Sequence, residues 1–97
     1  MPVAVVPMGD GAEDTAIQVM QALRAAGIRA EASYRGNLKR RMERANRIGA
    51  AFAVILGDDE VARGAAQVKN LALGTQSEIA LDKLAAHILS VQNQAGS

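Results

Sequence analysis

Apolar positions occur in two kinds of pattern along this chain. Val3 to Val6 and Phe52 to Leu56 are unbroken apolar runs, followed at once by Pro7 and Gly57, as in strands buried on both faces. Elsewhere the period is helical. Ala16, Val19, Met20 and Leu23 lie on one stripe, with Asp10 as a candidate cap, Glu13 and Asp14 suited to the first turn and Gly27 as a stop. This predicts a helix over about residues 12–26. Ile28, Ala30 and Ala32 then alternate with Arg29, Glu31 and Ser33, which predicts a half-buried strand ending near Tyr34. Gly36 and Asn37 interrupt, and Leu38, Met42, Ala45 and Ile48 form the apolar stripe of a second helix closed by Gly49.

Beyond Leu56, Gly64 and Gly74 bracket Ala65 to Leu73, and Thr75 to Ala80 follows directly, so a hairpin is expected to turn around Leu73-Gly74-Thr75. Asp82 is a candidate cap for a last helix presenting Leu84, Ala85, Ile88, Leu89 and Val91, with a polar tail from Gln92 expected to fray. The order β-α-β-α-β, hairpin, α implies an α/β fold. Right-handed crossovers would build a mixed sheet, parallel at its centre, with the hairpin at one edge.

Composition narrows the reading. At 97 residues the chain holds one domain with one core, and 20 of its 48 apolar residues are Ala, so that core is made of small parts. Without Cys there is no disulfide framework and no thiolate metal site. No run reaches the roughly 18 apolar residues of a membrane helix, and a soluble, cytoplasmic protein without a membrane partner is expected.

Net charge is only +1, but it is unevenly spread. Residues 35–47 carry +5, from Arg35, Lys39, Arg40, Arg41, Arg44 and Arg47 against Glu43, and the other 84 residues carry −4. Lys39, Arg40 and Arg41 fall in the first turn of the second helix, where the macrodipole disfavours cations by a few tenths of a kcal/mol up to about 1. Arg40 and Arg44 are like charges at i,i+4, partly offset by Lys39 with Glu43 and by Glu43 with Arg47. Cations placed against helix stability point to a polyanion ligand rather than a solvated face.

Enzymatic chemistry finds little support. His87 is the only histidine, there is no Cys, and no Ser lies in a nucleophile-elbow context. Asp58, Asp59 and Glu60 follow a strand, where capping competes with a metal site. The turn Gly9-Asp10-Gly11 lacks the third glycine of a dinucleotide fingerprint and the Gly-Lys-Ser/Thr of a P-loop. With only Tyr34 and Phe52 as aromatics, a multi-base stacking platform is excluded. Tyr34, Arg35 and Asn37 cluster where the second strand hands over to the second helix. There a phenol or guanidinium could stack on an unstacked base, and Asn37 could contact a base or cap the helix.

The stretch Tyr34-Arg35-Gly36-Asn37-Leu38-Lys39-Arg40-Arg41, with Ala45-Asn46-Arg47-Ile48-Gly49-Ala50 and Phe52-Ala53-Val54-Ile55-Leu56-Gly57-Asp58-Asp59-Glu60, resembles the C-terminal anticodon-binding domain of histidyl-tRNA synthetases. So do Val68-Lys69-Asn70-Leu71 and Gly74-Thr75-Gln76. The resemblance implies a three-layer α/β/α fold with a mixed five-stranded sheet and three helices. It implies a domain that reads the anticodon stem-loop of histidine tRNA and is itself no enzyme. The parent would be a homodimeric histidine-tRNA ligase whose separate catalytic domain, absent here, uses ATP and Mg. Tyr34, Arg35, Asn37, Lys39, Arg40, Glu43, Arg44, Glu60 and Lys69 are the RNA-binding candidates that follow; no cofactor or metal is assigned to the domain. Ala65, Ala66 and Asn46 depart from the family pattern. A noncatalytic synthetase paralogue, such as the histidine-biosynthesis regulatory subunit, and a small nucleotide-binding module are the alternatives.

Overall fold

Strand β1 (Val3–Met8) is flanked on both sides by parallel neighbours in a computed structural model that describes residues 2–9, 11–33 and 36–95, which is why its run from Val3 to Val6 carries no polar residue. The remaining elements are α1 (Ala12–Ala25), β2 (Ala30–Ala32), α2 (Leu38–Arg47), β3 (Phe52–Gly57), α3 (Asp58–Ala62), β4 (Ala65–Asn70) and β5 (Gln76–Ala80). A 3-10 turn over Leu81–Lys83 leads into α4 (Leu84–Ala95). Strand order is β2-β1-β3-β4-β5, with β2, β1 and β3 parallel and the β4-β5 hairpin added antiparallel to β3.

Alternation divides the sheet into unequal faces. Val3, Val5, Phe52, Val54, Leu56, Ala66 and Val68 point to one side, where Val19 and Leu23 of α1 and Leu84 and Ile88 of α4 complete the main core. The other side is covered by α2 alone. Its core is Ala4, Ala45 and Ala50 with half-buried Leu71, four small or partial contributions in place of a second full layer.

Several expectations need correction. Among the described residues there are four α-helices instead of three, because Asp58–Ala62, whose acidic residues were expected only to cap or to hold a metal, forms a short helix whose N-cap is Gly57. β2 is only three residues long and ends at Ala32. The α2 stripe is mostly uncovered: Ala45 is buried, Met42 half-buried, and Leu38 and Ile48 remain 39% and 37% exposed. A single helix lying on small alanines has no neighbouring helix to cover its flanks. Asp82 falls inside the 3-10 turn, whose N-cap position is Ala80, and the last helix continues through Ala95 instead of fraying at Gln92. Asp10, the proposed cap of α1, lies outside the described residues; the N-cap position is Gly11, with no side-chain bond.

Candidate nucleic-acid interface

Helix α2 runs back along β1. Its first turn lies by the carboxyl end of the strand, where the Arg41 guanidinium donates to the Pro7 carbonyl and reaches the Met8 sulfur at 3.6 Å. Its last residues lie by the amino end, where Ala51 N donates to the Pro2 carbonyl and Leu71 N to the Ala51 carbonyl. Asn37 begins the helix: its Oδ1 accepts from Arg40 N at 2.9 Å, so its side-chain oxygen caps the helix.

Lys39, Arg40, Arg44 and Arg47 are all exposed, and among the described residues none has a carboxylate within salt-bridge distance. The compensation expected from Lys39 with Glu43 and Glu43 with Arg47 is therefore not formed as ion pairs. Gly36, Asn37, Lys39, Arg40, Glu43, Arg44 and Arg47 line one shallow concavity together with Ser33, just past the end of β2. The stripe thus leans toward the β2 edge of the sheet, whereas Asn46, on the other flank of α2, lines a groove shared with Asn70 and Leu71.

Lys69 and Glu60 share the α2 face but not one place on it. Lys69 pairs with Ala53, beside the end of α2, while Gly57, four residues further along β3, pairs with Met8 beside the start of α2. At about 3.3 Å per residue the two ends of that strand are roughly 13 Å apart. Glu60 occupies the first turn of α3 and its carboxylate folds back over Gly57, with Oε2 only 2.7 Å from where a Cβ on that glycine would stand. Among the described residues that carboxylate accepts no hydrogen bond and forms no ion pair. Tyr34 and Arg35 lie outside the described residues. The candidates therefore form a broad strip around α2, not a single pocket.

The half of this face that α2 leaves open carries a feature that the candidate set omitted. Arg63 donates to Glu78 at 2.6 Å, Gln67 donates to the same carboxylate oxygen at 3.4 Å, and Gln76 donates to Gln67 at 3.2 Å. The Glu78 hydrogen bond, and then its charge, raise the Arg63 pKa above its ordinary value. The chain of polar groups crosses β4 and β5 next to Lys69 and half-buried Ile55, offering amide donors and acceptors on a flat sheet surface. The signal was present in the sequence as the period-two series Ala65, Gln67, Lys69, whose polar members had to face the uncovered side.

The nucleotide-binding alternative meets an obstacle at Gly9. That residue has φ +122°, and the Asp58 carboxylate lies so close that any Cβ would collide with it. A negative charge occupies the approach to the start of α1, where a phosphate would have to sit. Among the described residues no three His, Asp or Glu side chains converge as metal ligands. No helix among them is long and apolar enough to cross a membrane.

A three-layer α/β/α domain with a helix of exposed cations on one face and an open polar sheet beside it is a nucleic-acid-binding module in its charge and shape. Residues 2–90 match the family described as the anticodon binding domain, and the chain belongs to that family. It is 63% identical over 87 residues to the histidine–tRNA ligase of Gluconacetobacter diazotrophicus, covering 90% of this chain and 21% of that protein. The ligase of Gluconobacter oxydans is 45% identical, over 86% of this chain and 20% of its own length. The chain thus spans about a fifth of the curated relatives it matches. Among solved structures, the histidyl-tRNA synthetase of Nostoc sp. PCC 7120 superposes with TM-score 0.88 at 35% identity, over 93% of this chain and 22% of that one. The apo enzyme of S. aureus gives 0.82 at 34%, over 90% and 26%. The resemblance carried by the Tyr34–Arg41, Phe52–Glu60 and Lys69–Leu71 motifs is therefore also one of overall sequence and of fold. The regulatory-paralogue alternative is not favoured, since the relatives named here are ligases.

Proposed function

We propose that this domain binds the anticodon stem-loop of histidine tRNA on behalf of a longer, homodimeric, cytoplasmic histidyl-tRNA synthetase, to whose catalytic domain it would be joined. ATP and Mg would serve that catalytic domain in activating histidine. The observation that carries the reading is the set of unpaired cations on α2: Lys39, Arg40, Arg44 and Arg47 stand exposed with no carboxylate at salt-bridge distance among the described residues. A helix that accepts this repulsion in its first turn gains from it only when an anion arrives. Beside it, Glu60 and Lys69 present an acceptor and a donor suited to base edges, and the GUG anticodon offers guanine imino and amino groups to the one and O6 and N7 to the other.

Binding of the stem-loop should be weak and strongly salt-dependent. Three or four phosphate contacts correspond to a slope of log K against log[salt] of about −2 to −3, at about −0.7 per contact for single strands. Replacing Arg40 and Arg44 together by Ala should weaken every RNA to a similar degree and flatten the slope by about 1.4. A slope that does not change would return the stripe to a solvated surface.

A further inference from the structure

We infer that Gln67 reads the middle base of the anticodon, a uracil, and that Glu78, held by Arg63, is the positioning residue that fixes which end of the Gln67 amide meets that base. The inference deepens the anticodon reading proposed above and rests on it. Register supplies the placement. Along β3, Ala53 pairs with Lys69 and Ile55 with Gln67, and the next residue on that face, Gly57, lies under the Glu60 carboxylate. Lys69, Gln67 and Glu60 therefore follow one another at two-residue intervals of about 7 Å each, with Gln67 in the middle. The outer two suit guanines, and the middle base of GUG is left to the residue between them. Half-buried Ile55, directly beside Gln67, offers an apolar surface to the face of a base.

A glutamine by itself does not tell uracil from cytosine. Uracil presents N3–H as a donor and O4 as an acceptor, cytosine presents N3 as an acceptor and its 4-amino group as a donor, and an amide turned end for end fits either. Gln67 is held against turning. Its Nε2 donates to Glu78 Oε1 at 3.4 Å, and its Oε1 accepts from Gln76 Nε2 at 3.2 Å. Gln76 can turn with it, but the Glu78 carboxylate is an acceptor only, and a turned Gln67 would set its carbonyl oxygen against that charge. Arg63 donates to the same Glu78 oxygen at 2.6 Å and so fixes the lock. These bonds use one of the two hydrogens on Gln67 Nε2 and one lone pair on Oε1; among the described residues the other N–H and lone pair have no partner. A donor and an acceptor at fixed ends admit one pyrimidine for a given seating of the base, and in the cognate loop that pyrimidine is uracil.

The test measures binding of the 97-residue chain to three RNAs: the histidine tRNA anticodon stem-loop, the same loop with its middle U replaced by C, and one with an anticodon G replaced by A. The unmodified chain should bind the U loop at least about fivefold more tightly than the C loop, the lower end of what one paired base edge contributes. Gln67→Leu should weaken the cognate and the G-to-A loop by that factor and leave the C loop no weaker, so that U and C come within about twofold. Glu78→Ala should close the same gap from the other side, the C loop gaining on the cognate because the released amide can turn. A merely structural role for Glu78 would instead weaken all three loops and leave their ratios. In both variants the preference for the cognate over the G-to-A loop should persist. A chain that binds the U and C loops alike yet prefers the cognate to the G-to-A loop overturns the inference and leaves the anticodon reading standing. So does an unchanged ratio of U to C in Gln67→Leu or in Glu78→Ala. A chain that binds none of the three loops fails the anticodon reading itself, and the inference falls with it.

Discussion

Ala45 is the only described residue of α2 that is buried, and it packs in one small cluster with Ala4 of β1 and with Ala50. An entire helix, with its row of cations, is therefore seated through a methyl-sized contact. The close approach it permits is what keeps the helix near the sheet despite exposed Leu38 and Ile48. Enlarging that contact should lift the helix. Ala45→Leu is expected to cost about 1–3 kcal/mol by overpacking, read from urea unfolding, and to weaken stem-loop binding beyond what the population of unfolded chain explains. Unaltered stability would mean that α2 is held by its ends and not by this seat.

Asn37 tests the start of the same helix. Its cap bond to Arg40 N is exposed, so Asn37→Ala should lose about 1 kcal/mol, the usual worth of such a cap. For a chain of this size that lowers the melting temperature by about 4–8 °C. Asn37→Asp should keep the cap and add a favourable charge beside the first-turn cations. The pair separates capping from RNA contact, because Asp should preserve stability while weakening RNA binding through repulsion of phosphate.

The Glu60 carboxylate, in the first turn of α3 just past β3, has no hydrogen bond or ion pair among the described residues, and Glu60→Gln preserves its shape while removing its charge. If it reads a guanine, the cognate stem-loop should lose about 1–3 kcal/mol and discrimination against an anticodon with G changed to A should narrow. Equal losses on both RNAs would leave Lys69 and Arg35 as the readers to be examined in the same way.

Gly9 carries two constraints that a double variant can separate. Its φ of +122° strains any side chain, and Asp58 occupies the space a Cβ would need. Gly9→Ala should therefore destabilise the domain by at least the roughly 1–3 kcal/mol of backbone strain. Adding Asp58→Ala should recover only the part due to collision. Full recovery in the double variant, measured by thermal melting, would show that the backbone conformation itself costs little.

Local periodicity and composition determined much of this protein. The two doubly apolar runs marked the parallel strands at the centre, Asn37 and Gly49 bounded the basic helix, and the +5 segment located the charged surface. Each of these depends on residues near one another in the chain. What only the tertiary structure decided depends on distant ones. The expected compensation of Lys39, Glu43 and Arg47 does not occur, because exposed long side chains gain too little from pairing to fix their rotamers. Arg41 turned from the basic stripe to the carbonyls of Gly36 and of Pro7, the latter 34 residues away in the chain. Glu60 and Lys69 were separated by the register of β3, which aligns Gly57 with Met8 and Ala53 with Lys69. The open polar half-face exists because one helix, seated on alanine, covers β1 but not β4 and β5. Helix coverage and strand register are set by packing between segments, and no local pattern encodes them.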